Sequence, residues 1–185
     1  MTIQMYPEWI EGDLYFDFSK AQSVKKLDAK GTDGHGLSHL LKSVDFVVEW
    51  SNQLWLIEIK DPENGVIPTH LREREQEKFR LKLQRNKLVN DELFPKLRDS
   101  LLYLSLDQGI ADKPMRYIIL IGLSSLQPAE LSGLQHKIWH TAWVKGSKRG
   151  WKKSFEVLCI TVHQWNRILT QCPIIRKSEK LSNRQ

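Results

Sequence analysis

A chain of 185 residues is long enough for one domain with its own core, and 41% hydrophobic with 27% charged residues excludes disorder on a large scale. The formal net charge of +6 points to an acidic partner, of which nucleic acid is the commonest, and says nothing about fold. No run approaches bilayer-spanning length, the N-terminal "MTIQMYPEWIEG" lacks a secretory pattern, and two cysteines, Cys159 and Cys172, form neither a disulfide framework nor a zinc motif. A cytoplasmic protein without a membrane partner is therefore expected.

Neither an internal repeat nor a low-complexity linker divides the chain, so a single domain over residues 1–175 is expected, with 176–185 as a frayed basic tail. In chain order, "DLYFDF" (13–18) reads as a strand and "SVKKLDA" (23–29) as one that could pair with it. The glycine-rich 30–36 is a loop and "LSHLLK" (37–42) a helical turn or two. "VDFVVEW" (44–50) and "LWLIEIK" (54–60) are strands joined by a very short polar turn, hence a hairpin. Residues 72–85 mix Glu with Lys and Arg, as a solvated helix does, and Leu93, Leu97, Leu101 and Leu104 repeat at helical spacing up to Gly109. "RYIILIGLS" (116–124) is a run covered on both faces, 128–143 is helical, 155–162 is a strand with Cys159 in the core, and "HQWNRIL" is a last short helix. The fold class is α/β: a mixed central sheet flanked by helices.

Within "LWLIEIK", alternation places Leu54, Leu56, Glu58 and Lys60 on one face and Trp55, Ile57 and Ile59 on the other. If the hairpin turns through Asn52 and Gln53, paired residue numbers sum to 105, which sets Asp45 across from Lys60 and diagonal to Glu58. Two carboxylates and an ammonium then meet at one end of the hairpin. A carboxylate pair suits a hard divalent ion such as Mg2+, and a neighbouring ammonium can orient a water or neutralise charge developing on a phosphate.

An Asp opening one strand and Glu-x-Lys closing the next, here Val44-Asp45 and Glu58-Ile59-Lys60, resembles the PD-(D/E)XK nuclease superfamily. The resemblance implies a restriction-endonuclease-like αβββαβ core over about residues 13–124, with an extra C-terminal helix and strand. It implies Mg2+ as cofactor, with Mn2+ able to substitute, held by Asp45, Glu58 and the Ile59 carbonyl, and Lys60 serving the attacking water. The acidic residue commonly found on the family's first core helix has no clear equivalent, because the segment before the first strand is short, and Glu11 is the candidate for it. The implied activity is hydrolysis of phosphodiester bonds in nucleic acid, with DNA favoured over RNA. Because such enzymes often pair to cut two strands, a homodimer is an open expectation.

Further residues could complete the site. Ser38, His39 and Lys42 precede Asp45 and could face substrate, although His35 and His39, four apart, lack a third zinc ligand. Lys96, Ser100 and Tyr103 share one helical face, which is either a stripe on the site or a solvated one. The loop at 145–154 gathers Lys145, Lys148, Arg149, Lys152 and Lys153 around Trp151, a pattern suited to phosphate contact and base stacking, or else a soluble connector with the tryptophan folded back. Two other function classes stay open: a non-catalytic nucleic-acid-binding protein on the same fold, and an interaction domain with a fortuitous charge cluster.

Overall fold

The computed structural model describes residues 5–29, 37 and 39–178. In chain order its strands and helices are β1 (Ile10–Glu11), β2 (Leu14–Phe16), β3 (Ser23–Lys26), β4 (Phe46–Glu49), β5 (Leu54–Lys60), α1 (Thr69–Gln84), α2 (Phe94–Asp107), β6 (Met115–Ile121), α3 (Pro128–Trp139), α4 (Ala142–Lys145), β7 (Phe155–Thr161), α5 (Val162–Ile168) and β8 (Ile174–Arg176). Strands β3 to β7 form a mixed sheet in sequence order, with β3, β4 and β5 an antiparallel meander and β5, β6 and β7 parallel. Parallel neighbours require crossovers, and α1 with α2 supplies one while α3 with α4 supplies the other. No helix among the described residues is long and apolar enough to cross a membrane.

Period-2 alternation divides the core into two layers. Val47, Leu54, Leu56, Tyr117, Ile119 and Ile121 pack on the face that meets α2 and α3, while Phe46, Val48, Trp55, Ile57, Ile118 and Leu120 pack on the opposite one. Helix α2 presents Leu97, Leu101 and Leu104 to the first layer, each buried leucine contributing about 1.5–3 kcal/mol. Helix α1 carries charge all round and buries only Phe79, so most of its surface lies in solvent, and it packs against the turn that follows it. Between α1 and α2 the chain makes a π-helical turn, Leu88–Leu93, in which the Phe94 N–H reaches the Val89 carbonyl five residues back.

Several expectations change. Residues 14–16 do not join the central sheet: β2 pairs with β1 and β8 in a separate three-stranded antiparallel sheet. Leu14, Tyr15 and Phe16 are all buried, so no alternation marks which sheet they belong to, and Phe16 (tilted) and Phe18 (edge-on) instead pack against Phe46 from outside the central sheet. That leaves β3 to pair with β4, and the second face of the sheet is covered by β1-β2-β8 and Trp165 of α5 rather than by helices alone. The hairpin turns at Ser51 and Asn52, the Trp50 N–H donating to the Gln53 carbonyl at 2.9 Å. The paired numbers therefore sum to 103, as in Phe46↔Ile57 and Val48↔Trp55. The expected helical segment is reduced to a turn at His39 and Leu40, closed by the Leu41 N–H on the Leu37 carbonyl.

The expected tail boundary also moves. Arg176 lies in β8, and its guanidinium bonds Asp13 Oδ1 at 2.7 Å and Asp61 Oδ2 at 2.8 Å, tying the small sheet to the residue that follows β5. Gly122 is required beside this clasp, because a Cβ there would lie 1.9 Å from Asp61 Oδ1. Both aspartates are buried, so truncating the arginine leaves two uncompensated carboxylates. Arg176→Met is expected to lower the unfolding free energy in urea by about 3–5 kcal/mol, and Asp13→Asn with Asp61→Asn in the same chain to recover part of that loss.

Candidate active site

The site forms where the meander passes into the parallel half of the sheet. Asp45 stands one residue before β4, beyond the last pair Phe46↔Ile57, which puts it level with Glu58. The change in register from 105 to 103 keeps the sum odd, so Asp45 shares the face of Glu58 and Lys60 and becomes the direct neighbour of the glutamate. Asp45 Oδ2 accepts the Ile59 N–H at 2.5 Å, ending the ladder with a side chain where a backbone carbonyl would otherwise stand. From behind, α2 fastens the approach: Val44 N–H donates to Ser100 Oγ at 2.9 Å and Lys42 N–H to Asp99 Oδ2 at 3.0 Å. On the β6 side the Lys60 carbonyl accepts from Gly122 N–H, and carbonyls alternate along a strand, so that of Ile59 turns toward Asp45.

Charge accumulates around these two carboxylates. Glu58 is fully buried, and Lys60 Nζ lies 3.1 Å and Lys96 Nζ 2.7 Å from its Oε1. Lys60 is shared with Glu92 at 2.5 Å, and Glu92 also pairs with Lys82 of α1 at 2.7 Å. On the other side of Asp45, carboxylate oxygens of Glu11, Asp28 and Asp45 all lie within 4.8 Å of one another, and Glu11 pairs with Lys26 at 2.8 Å. Asp28 Oδ1 is shielded from solvent with no hydrogen-bond partner.

The electrostatics follow from burial. Desolvation pushes the Asp45 carboxyl up to about 7, against the opposing pull of Lys96. Desolvation and then the Asp45 charge raise Glu58 to about 7 as well, although Lys60 and Lys96 act the other way. For the lysines burial acts downward, but Glu58 with Glu92 holds Lys60 above its ordinary value, and Glu58 with Asp45 does the same for Lys96. Glu92 is held below the usual range, hydrogen bonds from Lys60 and Lys82 outweighing its burial.

Of the residues singled out in the sequence, Asp45, Glu58, Lys60, Glu11 and Lys96 converge. Ser100 is buried behind the site as a support, and Tyr103, partly buried, packs against the core. Lys42 sends its ammonium to the Asp91 carbonyl at 2.7 Å, and His39 is exposed on its turn. Ser38 and His35 lie outside the described residues. Asp28 and Glu92 escaped the sequence reading. Asp28 joins only because β3 pairs with β4, and Glu92 sits in a π turn that the 3.6-residue period does not describe.

The basic loop is placed elsewhere. Leu54, Met115 and Phe155 are level at one end of the parallel strands, and Lys60, Ile121 and Thr161 at the other. Lys145, Lys148, Arg149, Lys152 and Lys153 precede Phe155, at the strand end remote from Glu58 by about 13 Å of strand. Trp151 donates from Nε1 to the Trp143 carbonyl at 2.7 Å over Gly146, while Lys152 and Lys153 pair with Asp112. Past the C-terminal ends of β6 and β7 opens a crevice of about 1050 Å3, whose lining includes Glu63, Ser124, His163 and Arg167. Within its walls Glu63 pairs with Ser124 and Thr161 with Gln164.

Comparison of the chain with family models, with curated proteins and with solved structures returns no match.

Both carboxyls sit near 7 in the folded chain against ordinary values of about 4, so between about pH 4 and 7 the folded state holds the extra protons. Stability from these two groups is accordingly present at low pH and lost as pH rises through about 7, at up to about 1.4 kcal/mol per pH unit per group. In urea titrations with a chelator, the stability of the parent minus that of an Asp45→Asn/Glu58→Gln variant is expected to fall between about pH 5 and 7 and level off above. A difference flat with pH would mean that both groups ionise like exposed carboxylates.

Proposed function

We propose that the protein is a metal-dependent nuclease that hydrolyses phosphodiester bonds, with DNA as the favoured substrate, built on the restriction-endonuclease-like core of the PD-(D/E)XK superfamily. The observation that carries this is the convergence of Asp45, Glu58 and Lys60 on one sheet face at the end of the hairpin. The succession of β3, β4 and β5, then helices, then β6 parallel to β5 agrees with the βββαβ portion of that core. Among the described residues no α-helix precedes β3, and Glu11, the candidate for the acidic residue of the family's first core helix, stands in β1 instead.

The donor set suits a hard divalent cation. Two adjacent buried carboxylates, a backbone carbonyl turned toward them and the unpartnered Asp28 Oδ1 are all oxygen donors. Mg2+, or Mn2+ in its place, would be held by Asp45, Glu58 and the Ile59 carbonyl, with Glu11 and Asp28 on the far side of Asp45; there it would supply Lewis acidity to a phosphoryl oxygen and a water. Lys60 orients the attacking water and offsets the charge that develops on the phosphate. Glu92, at 2.5 Å, fixes the ammonium for this work with a second carboxylate besides Glu58. The apolar neighbours Leu56, Tyr117 and Ile119 keep bulk water off the cluster and hold its groups in place.

A second reading is favoured by one observation. Glu58 already has two ammonium groups within ion-pair distance, which would also suit a non-catalytic nucleic-acid-binding protein whose cluster serves only structure. Calorimetry with Mg2+ beside a gel assay of cleavage separates the two. Asp45→Asn and Glu58→Gln are expected to lose metal binding and cleavage together, whereas Lys60→Ala keeps metal binding and loses cleavage by orders of magnitude. A parent chain that binds no divalent ion, or a Lys60→Ala variant that cuts at the parent rate, would overturn the nuclease reading.

The remote position of the basic loop has its own consequence. Neutralising Lys148, Arg149, Lys152 and Lys153 is expected to leave cleavage of a short oligonucleotide, and its salt dependence, close to the parent. A flattened salt slope would show that bound nucleic acid reaches that end of the sheet.

A further inference from the structure

Lys96 enters the site from the first turn of α2, on the helix face that also carries Ser100. Its Nζ lies 2.7 Å from Glu58 Oε1, 2.9 Å from Glu58 Oε2 and 3.5 Å from Asp45 Oδ1. Among the described residues, all of its ion pairs and hydrogen bonds go to these two carboxylates. Lys60 differs, since Glu92 holds it independently of Glu58. The Lys96 side chain is about one-fifth exposed, so solvent reaches it and it is not sealed in the core.

We propose that Lys96 is the resident counter-cation of the Asp45–Glu58 pair, and that loading of a divalent ion is an exchange in which its ammonium leaves both carboxylates. The inference rests on the metal site proposed above. Two neighbouring carboxylates, one fully buried and one nearly so, cannot stay ionised side by side without a cation beside them, and the Lys96 ammonium supplies that charge. A divalent ion bound to the same oxygens would face a positive charge at contact distance unless the ammonium moved. The lysine stem has four rotatable carbons and a compact head, which makes withdrawal toward solvent easy. Lys60 stays, because Glu92 retains it. The two lysines thus divide the work: Lys60 is anchored for the reaction, and Lys96 sets how much free metal is needed to fill the site.

The test is calorimetric titration of Mg2+ at pH 8, above the range in which the carboxyls hold protons, without nucleic acid. Lys96→Met is expected to bind Mg2+ on the order of tenfold more tightly than the parent. Lys96→Arg, which keeps the charge, should bind no more tightly than the parent. Lys96→Gln provides a polar neutral variant should the methionine chain fold poorly. Independently of any variant, heteronuclear NMR of the lysine side chains should show the Lys96 resonance of the parent shifting on Mg2+ addition more than that of Lys60. Equal or weaker binding by the neutral variants, or an unmoved Lys96 signal in a parent that does bind, would overturn the exchange and leave the metal site standing. Absence of Mg2+ binding in the parent and in both neutral variants would overturn the metal site itself, and the exchange with it.

Discussion

The hydrogen bond from the Ile59 N–H to the Asp45 carboxylate is the contact on which the rest of the site depends. It ends the β4–β5 ladder one step beyond Phe46↔Ile57 and fixes an aspartate beside Glu58 on the helix-covered face of the sheet. Burying two carboxylates as neighbours is costly, and the surrounding structure answers that cost in several ways. Lys60 and Lys96 pair with Glu58, and the Lys60 ammonium is in turn held by Glu92. Serine and aspartate from α2 hold the backbone at Val44 and Lys42, so the approach to Asp45 cannot shift without breaking contacts in the helix layer.

The π turn at Leu88–Leu93 belongs to the same scheme. It inserts an extra residue into the helical path, burying Leu88, Val89 and Leu93 in the core while Glu92 pairs with Lys60 and Lys82. Tyr117 reinforces it by donating its hydroxyl to the Leu93 carbonyl at 2.9 Å. Local distortions of this kind often mark functional positions, and here the distortion delivers a carboxylate to the site. The cluster is thereby assembled from five separate parts of the chain: β1, the end of β3, the hairpin, the π turn and α2.

The same parallel strands that gather the carboxylates at one end carry the basic loop away at the other. Residues adjacent in function by composition alone, a tryptophan among lysines and an acidic pair with a lysine, are separated by about 13 Å of strand. The Asp13–Arg176–Asp61 clasp holds the opposite layer in register, linking the small sheet to the residue that follows Lys60.

By itself, the sequence determined the hairpin, the faces of its strands and the leucine face of α2, because those depend on the period of side-chain direction in a local element. Parity explains why the central expectation survived an error. A shift of the pairing sum from 105 to 103 left Asp45, Glu58 and Lys60 on one face, whereas a shift by one would have separated them. Tertiary structure alone decided that 14–16 belong to a second sheet, that Asp28 and Glu92 join the cluster, that Lys96 points into it while Lys42 points away, and that the basic loop lies at the remote end. Each of these is a contact between segments far apart in the chain, set by strand order and layer packing, and neither leaves a periodic trace in the residues that make it.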